Sequence, residues 1–449
     1  MKVIKIKKGL DIKLKGKPLE KISPPLNFTH YGIYPYDYRI ITPKLNVKIG
    51  DKVKAGTPIL FDKTQTDVCV SSPVSGIVEN IIYGEKRKLE TIIIKADNEI
   101  EYEQFATTSI SLLSREQIID QLLKSGLFVK IKRRPYGIVP KINEIPKHIH
   151  ISTFDTSPLA PNFNFSLKEN ISEIQTGIDI LSKLTNGKVF LNIDGNIAKN
   201  IFENLTNCEI TKFYGPHPAG NVGVQIHHLT PIVTKEDIVW TINIQDLVFI
   251  GRFFNSGKID LRKTIALSGS EVNEPHYYQV IEGCQIFTLI ENQVKNQNVR
   301  IISGNVLTGI TTPKEMFLHA FTNQITVIPE GNYYEMFGWA KPGFNKYSVY
   351  GTFLSKIFKN KEWTLDSNYH GGHRTFVITG RIDKYLPMDI MPEYLLKAAL
   401  VDDIDNMEKL GIYEIIEEDI ALCEFASETK MDFQPIITNA INLMIKEVE

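Results

Sequence analysis

Four cysteines are thinly spread over the 449 residues, at Cys69, Cys208, Cys284 and Cys423, and none belongs to a C-x-x-C pair. An iron–sulfur cluster needs four converging thiolates, and structural zinc usually takes closely spaced pairs. The spacing therefore predicts a chain that carries no metal of its own. Long apolar runs are lacking too: none approaches the roughly 18 residues of a membrane-spanning helix. The opening Met1–Gly9 alternates lysine with apolar residues and has no apolar signal core, so export is not expected. A surplus of one charge is also missing. Lysine plus arginine number 51 against 52 aspartates and glutamates, a net of −1, which argues against a general nucleic-acid binder. What remains is a cytoplasmic protein with room for about three domains at roughly 150 residues each.

The balanced total conceals an uneven distribution. Residues 1–21 hold eight lysines against Asp11 and Glu20, while residues 401–449 hold thirteen acids against Lys409, Lys430 and Lys446. Val3-Ile4-Lys5-Ile6-Lys7 has the alternation of a strand with one solvated face. The two ends are suited to docking on oppositely charged surfaces of partners, or on each other.

From residue 40 to 95 the sequence is strand-like. Gly50 and Gly56 punctuate β-branched residues, and Ser72-Pro73-Val74-Ser75-Gly76-Ile77-Val78 follows. The two glycines supply backbone freedom for tight turns. This text resembles the half-motif of the biotinyl and lipoyl carrier domains, a barrel-sandwich of short strands. Carriers display a modifiable lysine about eight residues before the proline, where this chain has Gln65; Lys63 is two residues off. The module reads as a structural barrel.

Residues 105–215 alternate helix and strand. Ser114-Arg-Glu-Gln117 is a capping box, followed by Ile118, Ile119, Leu122 and Leu123 at helical spacing and by a closing Gly126. A strand over 149–154 precedes a second capping box, Ser166-Leu-Lys-Glu169, and a helix striped by Ile174, Ile178, Leu181 and Leu184. A strand at 189–193, a short helix at 196–205 and a strand at 209–213 complete the pattern. Such alternation predicts an α/β domain with parallel pairing. It does not predict a dinucleotide site: the loop after the first strand, Thr153 to Asn162, has no glycine where G-x-G-x-x-G would place a pyrophosphate. Gly215-Pro-His-Pro-Ala-Gly220-Asn-Val-Gly223 lacks the Lys and Ser/Thr of a phosphate loop.

His217, His227 and His228 are candidates for a metal or proton-handling cluster, but neighbours on a strand point to opposite faces. The favoured reading is separate, hydrogen-bonded histidines. His370-Gly-Gly-His373 reads as a loop.

Several stretches together resemble a known family. Lys5 to Asp11, the barrel motif, Gly84-Glu-Lys-Arg87, Arg134-Pro-Tyr136, Asp155-Thr-Ser-Pro-Leu-Ala160, the text of 215–309, Glu335-Met-Phe-Gly-Trp339, Pro342-Gly-Phe-Asn-Lys346, Tyr385 to Pro392 and Glu418 to Cys423 are similar, in order, to the A subunit of the sodium-translocating NADH:quinone oxidoreductases. The resemblance implies a peripheral subunit on the cytoplasmic side of the bacterial inner membrane, assembled with five others. It implies a complex that passes electrons from NADH through flavins and iron centres of the partner subunits to quinone while exporting sodium. It further implies kinship with the NADH-binding flavoprotein subunit of respiratory complex I and the Rnf complex C subunit, without their glycine-rich loop or cluster cysteines. This chain departs from related sequences after Cys423, where Ala426-Ser-Glu-Thr-Lys replaces a second cysteine and Pro-Gly-Lys.

The expected architecture combines α/β and β domains. It comprises an N-terminal segment and barrel-sandwich at 1–104, a Rossmann-like α/β domain at 105–257, and a β-grasp (SLBB-like) domain at 258–312. A strand-rich connection at 313–375 and a helical region at 376–449 complete it, the last marked by the stripe of Ile436, Ile437, Ala440, Ile441 and Met444. No cofactor of its own is expected, and the isolated chain is not expected to oxidise NADH; quinone enters as substrate. A quinone site needs an apolar groove and one or two polar groups for the carbonyls. The first candidate is Phe128 to Tyr136, with Phe128 and Tyr136 over the ring and Arg133 or Arg134 as donors. The second is the aromatic loop His30 to Arg39, with Tyr34 and Arg39. The competing expectation is a non-catalytic scaffold that docks the NADH-oxidising and membrane subunits.

Overall fold

The computed structural model describes residues 1–358 and 360–449. Two small sheets form the barrel-sandwich. One has the order His30–Ile33, Leu89–Ala96, Gly76–Tyr83, Lys52–Val53, and the other Pro43–Leu45, Pro58–Asp62, Cys69–Ser71. Gly50 and Gly56 adopt φ of 93° and 102°, as turns of this tightness require. The turn holding Lys63 and Gln65 is docked, since Gln65 accepts a hydrogen bond from the Ile142 N–H at 3.1 Å.

The α/β unit is a six-stranded sheet in the order Lys2–Lys5, Glu209–Tyr214, Val189–Asp194, His148–Ser152, Val239–Asn243, Lys132–Arg134. All pairs are parallel except the last. The lysine-rich start is the one-faced strand its alternation predicts, and its partner is the α/β sheet, with Lys2 opposite Thr211. Beyond it, Ile6, Ile12 and Leu14 share a core with the C-terminal helices, and the Gly9 N–H donates to the Lys384 carbonyl at 2.9 Å. The two ends thus meet through apolar packing, and among the described residues no ion pair joins the lysines of 1–21 to the acids of 401–449.

The first helix, Arg115–Ser125, starts at the predicted capping box and ends at Gly126 with φ 74°. The second capping box is not formed. Ser166 closes a short helix, Phe163–Ser166, and the next helix, Ile171–Ser182, begins after Asn170. Burial of Phe163 and Leu167 fixes the chain one turn earlier than the local signal. The expected helix at 196–205 is a series of turns. There the Asn200 side chain donates to the Asp194 carbonyl and accepts from the Phe202 N–H, and such side-chain bonds compete with helical pairing.

Helices Ile171–Ser182 and Ile244–Ser256 cross closely because each presents a glycine to the other. A methyl on Gly251 would land on the Glu173 carbonyl, and one on Gly177 would strike Leu247. Gly251→Ala is expected to destabilise the fold by about 1–3 kcal/mol, the usual range for overpacking. Urea unfolding of the purified chain measures it, and an unchanged midpoint would show that the helices can part without cost.

The third sheet runs His276–Ile281, Arg262–Ser268, Gln324–Pro329, Val299–Ser303, Ile310–Thr311. Its strand Gln324–Pro329 pairs in parallel with Arg262–Ser268. The sheet therefore extends past residue 312 and takes in the one strand among the described residues of 313–375. Among the described residues the remainder of that stretch is turns, short 3-10 helices and an isolated bridge from the buried Trp363 to Leu14, not a strand-rich region, and most of the aromatic residues of 333–369 are exposed or half-buried. Helices Pro392–Leu400, Ile404–Lys409, Glu417–Ala426 and Phe433–Val448 form the C-terminal region. No described helix is long and apolar enough to cross a membrane.

Candidate functional site

A cleft of about 500 Å³ opens at the carboxyl ends of the parallel strands. The chain leaves His148–Ser152 toward Val189–Asp194 on one side, then returns to Val239–Asn243 on the other. That reversal separates the loops after Ser152 and Asn243, and ligand crevices of open α/β sheets form at such a point. The third sheet closes the opposite wall with Ser303 to Ile310 and His319 to Gln324, and Glu418 comes from the C-terminal region.

The strand Lys132–Arg134 forms a basic edge of the cleft. Its side chains alternate, so Lys132 and Arg134 line the cleft while Arg133 does not. Arg134 is held by Asp419 at 3.2 Å and Glu418 at 3.0 Å. Lys132 is half-buried, with its ammonium 4.0 Å from the centre of the Phe321 ring, and no hydrogen bond or ion pair to a described residue engages it. Burial pushes its pKa down. Phe154, Phe163, Ile242, Leu307, Phe321 and Ile416 supply apolar wall. Opposite them Asp37 pairs with His319 at 2.7 Å, and Tyr34 stacks on the His319 ring at 4.3 Å.

The two predicted segments converge here, but most of their selected side chains face elsewhere. Phe128 is fully buried, edge-on to Trp240 with ring centres 6.1 Å apart. Arg133 is buried between Glu144 at 3.2 Å and Glu449 at 3.0 Å. Tyr136 is buried against Tyr413, and that burial pushes its pKa up to about 12. Tyr34 accepts from the Phe317 N–H at 3.0 Å and is also buried. Arg39 pairs with Glu417 at 2.8 Å. Of the six, only Arg134 forms cleft wall. Their sequence neighbours Lys132, Tyr36 and Asp37 line it instead, which the alternation of the strand would have indicated for Lys132.

His217 stands apart from the other two, whereas the His227 and His228 rings pack edge to face with centres 5.1 Å apart. His217 lines the cleft beside Thr156 at 3.2 Å, and burial lowers its pKa. His227 and His228 lie at the end of helix Val222–Leu229; His227 Nδ1 contacts Glu414 at 2.7 Å, and its Nε2 accepts from the Asp389 N–H. His370 and His373 are exposed. No group of three or more His, Cys, Asp or Glu among the described residues is arranged to hold a metal ion.

A barrel-sandwich, an α/β sheet and a third sheet surround one switch-point cleft, which makes this a multidomain α/β and β protein, and family models of NqrA domains match in that order. The NqrA N-terminal barrel-sandwich hybrid domain matches residues 4–97, the NqrA second alpha/beta domain 113–259, and the NQRA C-terminal domain 264–313. The Na(+)-translocating NADH-quinone reductase A subunit of Hahella chejuensis is 35% identical over 448 residues, 99% of this chain and 100% of the relative. Those of Neisseria meningitidis serogroup B and Neisseria gonorrhoeae are 35% and 34% identical over the same span. The chain belongs to the NqrA family, the A subunits of Na(+)-translocating NADH-quinone reductases. An NAD+-reducing [NiFe]-hydrogenase aligns over 78% of this chain and 66% of its own, with 11% identity and a TM-score of 0.36, too weak a likeness to carry an argument.

Proposed function

We propose that this chain contributes the quinone-binding site of a sodium-pumping NADH:quinone reductase and that the site is the switch-point cleft. The observation that carries this reading is Lys132, a cation without a partner among the described residues, held over Phe321 in a partly apolar cleft. A quinone offers a flat ring for the aromatic wall and two carbonyl acceptors for such a donor. In this reading the chain sits peripherally on the cytoplasmic side of the bacterial inner membrane with the other five subunits. Quinone is reduced to quinol there, and the partner subunits hold the flavins and iron–sulfur centres and export sodium. The parallel pairing around the switch point supports a Rossmann-like assignment for the six-stranded unit. The parallel central pair formed by the third sheet's first and last strands supports a β-grasp assignment.

A docking scaffold is the second reading, favoured by an exposed aromatic segment. Tyr333, Tyr334, Met336, Phe337 and Trp339, the last 80% exposed, project from the region after the third sheet, and large exposed apolar patches mark interaction surfaces.

Calorimetric titration of the chain, alone and in the complex, with a short-tailed ubiquinone separates the readings. Lys132→Met is expected to weaken binding by roughly tenfold or more, the worth of one charged hydrogen bond. Binding that is indifferent to Lys132 overturns the cleft assignment. No binding in either setting leaves the scaffold.

A further inference from the structure

One charged group in the cleft is left without a partner on one of its oxygens. Asp246 lies in the first turn of helix Ile244–Ser256 and lines the cleft, yet is only 3% exposed. Its Oδ2 has no hydrogen-bond donor. Two of the three surrounding lysines are committed elsewhere. Lys130, from the turn after the first helix, places its ammonium 2.6 Å from both Glu282 oxygens. Lys263, from the third sheet, donates to the Ala320 carbonyl at 2.7 Å and lies 3.8 Å from Glu282. Lys132 faces Asp246 from the edge strand, and Tyr38 from the barrel. Burial pushes the Asp246 carboxyl up to about 6, against the pull of these lysines. Both protonation states are then populated near neutral pH, as a general acid requires.

We propose that Asp246 protonates a carbonyl oxygen of the quinone bound in the cleft. The inference rests on the quinone reading above. NADH, oxidised by the complex to NAD+, supplies the two electrons. As they reach the quinone, the Asp246 O–H bond breaks and its proton forms the new O–H bond on one carbonyl oxygen. A proton from water at the cleft mouth reaches the other oxygen. The Asp246 carboxylate, stabilised by Lys130, Lys263 and Lys132, regains a proton from solvent. The sum is quinone plus NADH plus H+ giving quinol plus NAD+. The unpaired oxygen is what this role needs, since a carboxyl already bonded to a lysine would hold no transferable proton at this pH.

The test is quinol formation by the assembled complex carrying Asp246→Asn, with a short-tailed ubiquinone as acceptor. Asparagine keeps the shape and cannot deliver an acidic proton. The expected loss in kcat is on the order of 100-fold at pH 7, the lower end for a general acid, with little change in quinone KM. Wild-type kcat should fall as pH rises through about 6, since the acid must be protonated, and this inflection should vanish in the variant. Co-purification of the partner subunits with the variant chain reports assembly. Should Asp246→Asn not assemble, Asp246→Glu is read instead, with the inflection retained at a shifted pH. An unchanged kcat and pH profile in either variant overturns the role of Asp246. Quinone affinity indifferent to Lys132→Met overturns the cleft reading itself, so the two failures are distinct.

Discussion

Glu282→Ala should destabilise the folded chain by about 3–5 kcal/mol, the cost of leaving a buried charge unpaired. Lys130 and Glu282 are 2% and 8% exposed at their side chains, and the Lys130 ammonium lies 5.2 to 5.8 Å from the ring centres of Tyr38, Phe249 and Phe321. One ammonium therefore joins the barrel, the α/β unit and the third sheet. Although burial works against the charge, the Glu282 carboxylate holds the Lys130 pKa above its ordinary value. Without Glu282 the strongest pull against burial is gone and only weaker pulls, that of Asp246 among them, remain, so the pKa falls, and the variant recovers stability as pH rises and the lysine sheds its proton. Denaturant unfolding at pH 7 and pH 9 measures both effects. The double variant Lys130→Met with Glu282→Leu should regain most of the loss, because an apolar pair of similar volume carries no desolvation cost. A double variant as unstable as the single would show that the pair is not what joins the domains.

Arg134→Met is the second large effect, again about 3–5 kcal/mol. Its guanidinium is the bond between the α/β sheet and helix Glu417–Ala426: it reaches Asp419, which is fully buried, along with Glu418 and the Glu414 carbonyl at 3.3 Å. Burial already raises the Asp419 pKa and Arg134 opposes it. With Arg134 gone the folded-state pKa climbs further above the ordinary value near 3.9. The stability this protonation restores is present at low pH and is lost as pH rises, so the variant should be weaker at pH 8 than at pH 5. Amide exchange should accelerate selectively in Glu417–Ala426 and Phe433–Val448. Uniform acceleration across the chain would contradict a local hinge at Arg134.

What could be read in advance follows the range of the interactions. The Ser114–Gln117 capping box and the Gly126 terminus are legible because their partners lie within one turn. The barrel turns at Gly50 and Gly56 are local in the same way. Gln324–Pro329 escapes such reading, since its place beside Arg262–Ser268 is set by pairing across the whole unit. The site divides along the same line. The family resemblance, with the aromatic and basic residues of each stretch, points to the segments near Tyr34 and Arg134, yet the pleat decides that Lys132 and Arg134 line the cleft while Arg133 meets Glu144 and Glu449. Asp246 is distinguished only by the missing partner of its Oδ2, a property of the packed structure that no residue spacing encodes.

The pairing of Lys2 with Thr211 also orders events during synthesis. The first strand leaves the ribosome before any other part of its sheet exists, and the barrel-sandwich is complete before Glu209–Tyr214 has been translated. Domains generally fold as units in the order they emerge. The barrel can therefore close while the basic leader is still unpaired, and the lysines that keep an edge strand from pairing with other chains shield it during that wait. Fusions placed ahead of Lys2 should then interfere with the final docking of this strand, long after they have ceased to affect the barrel.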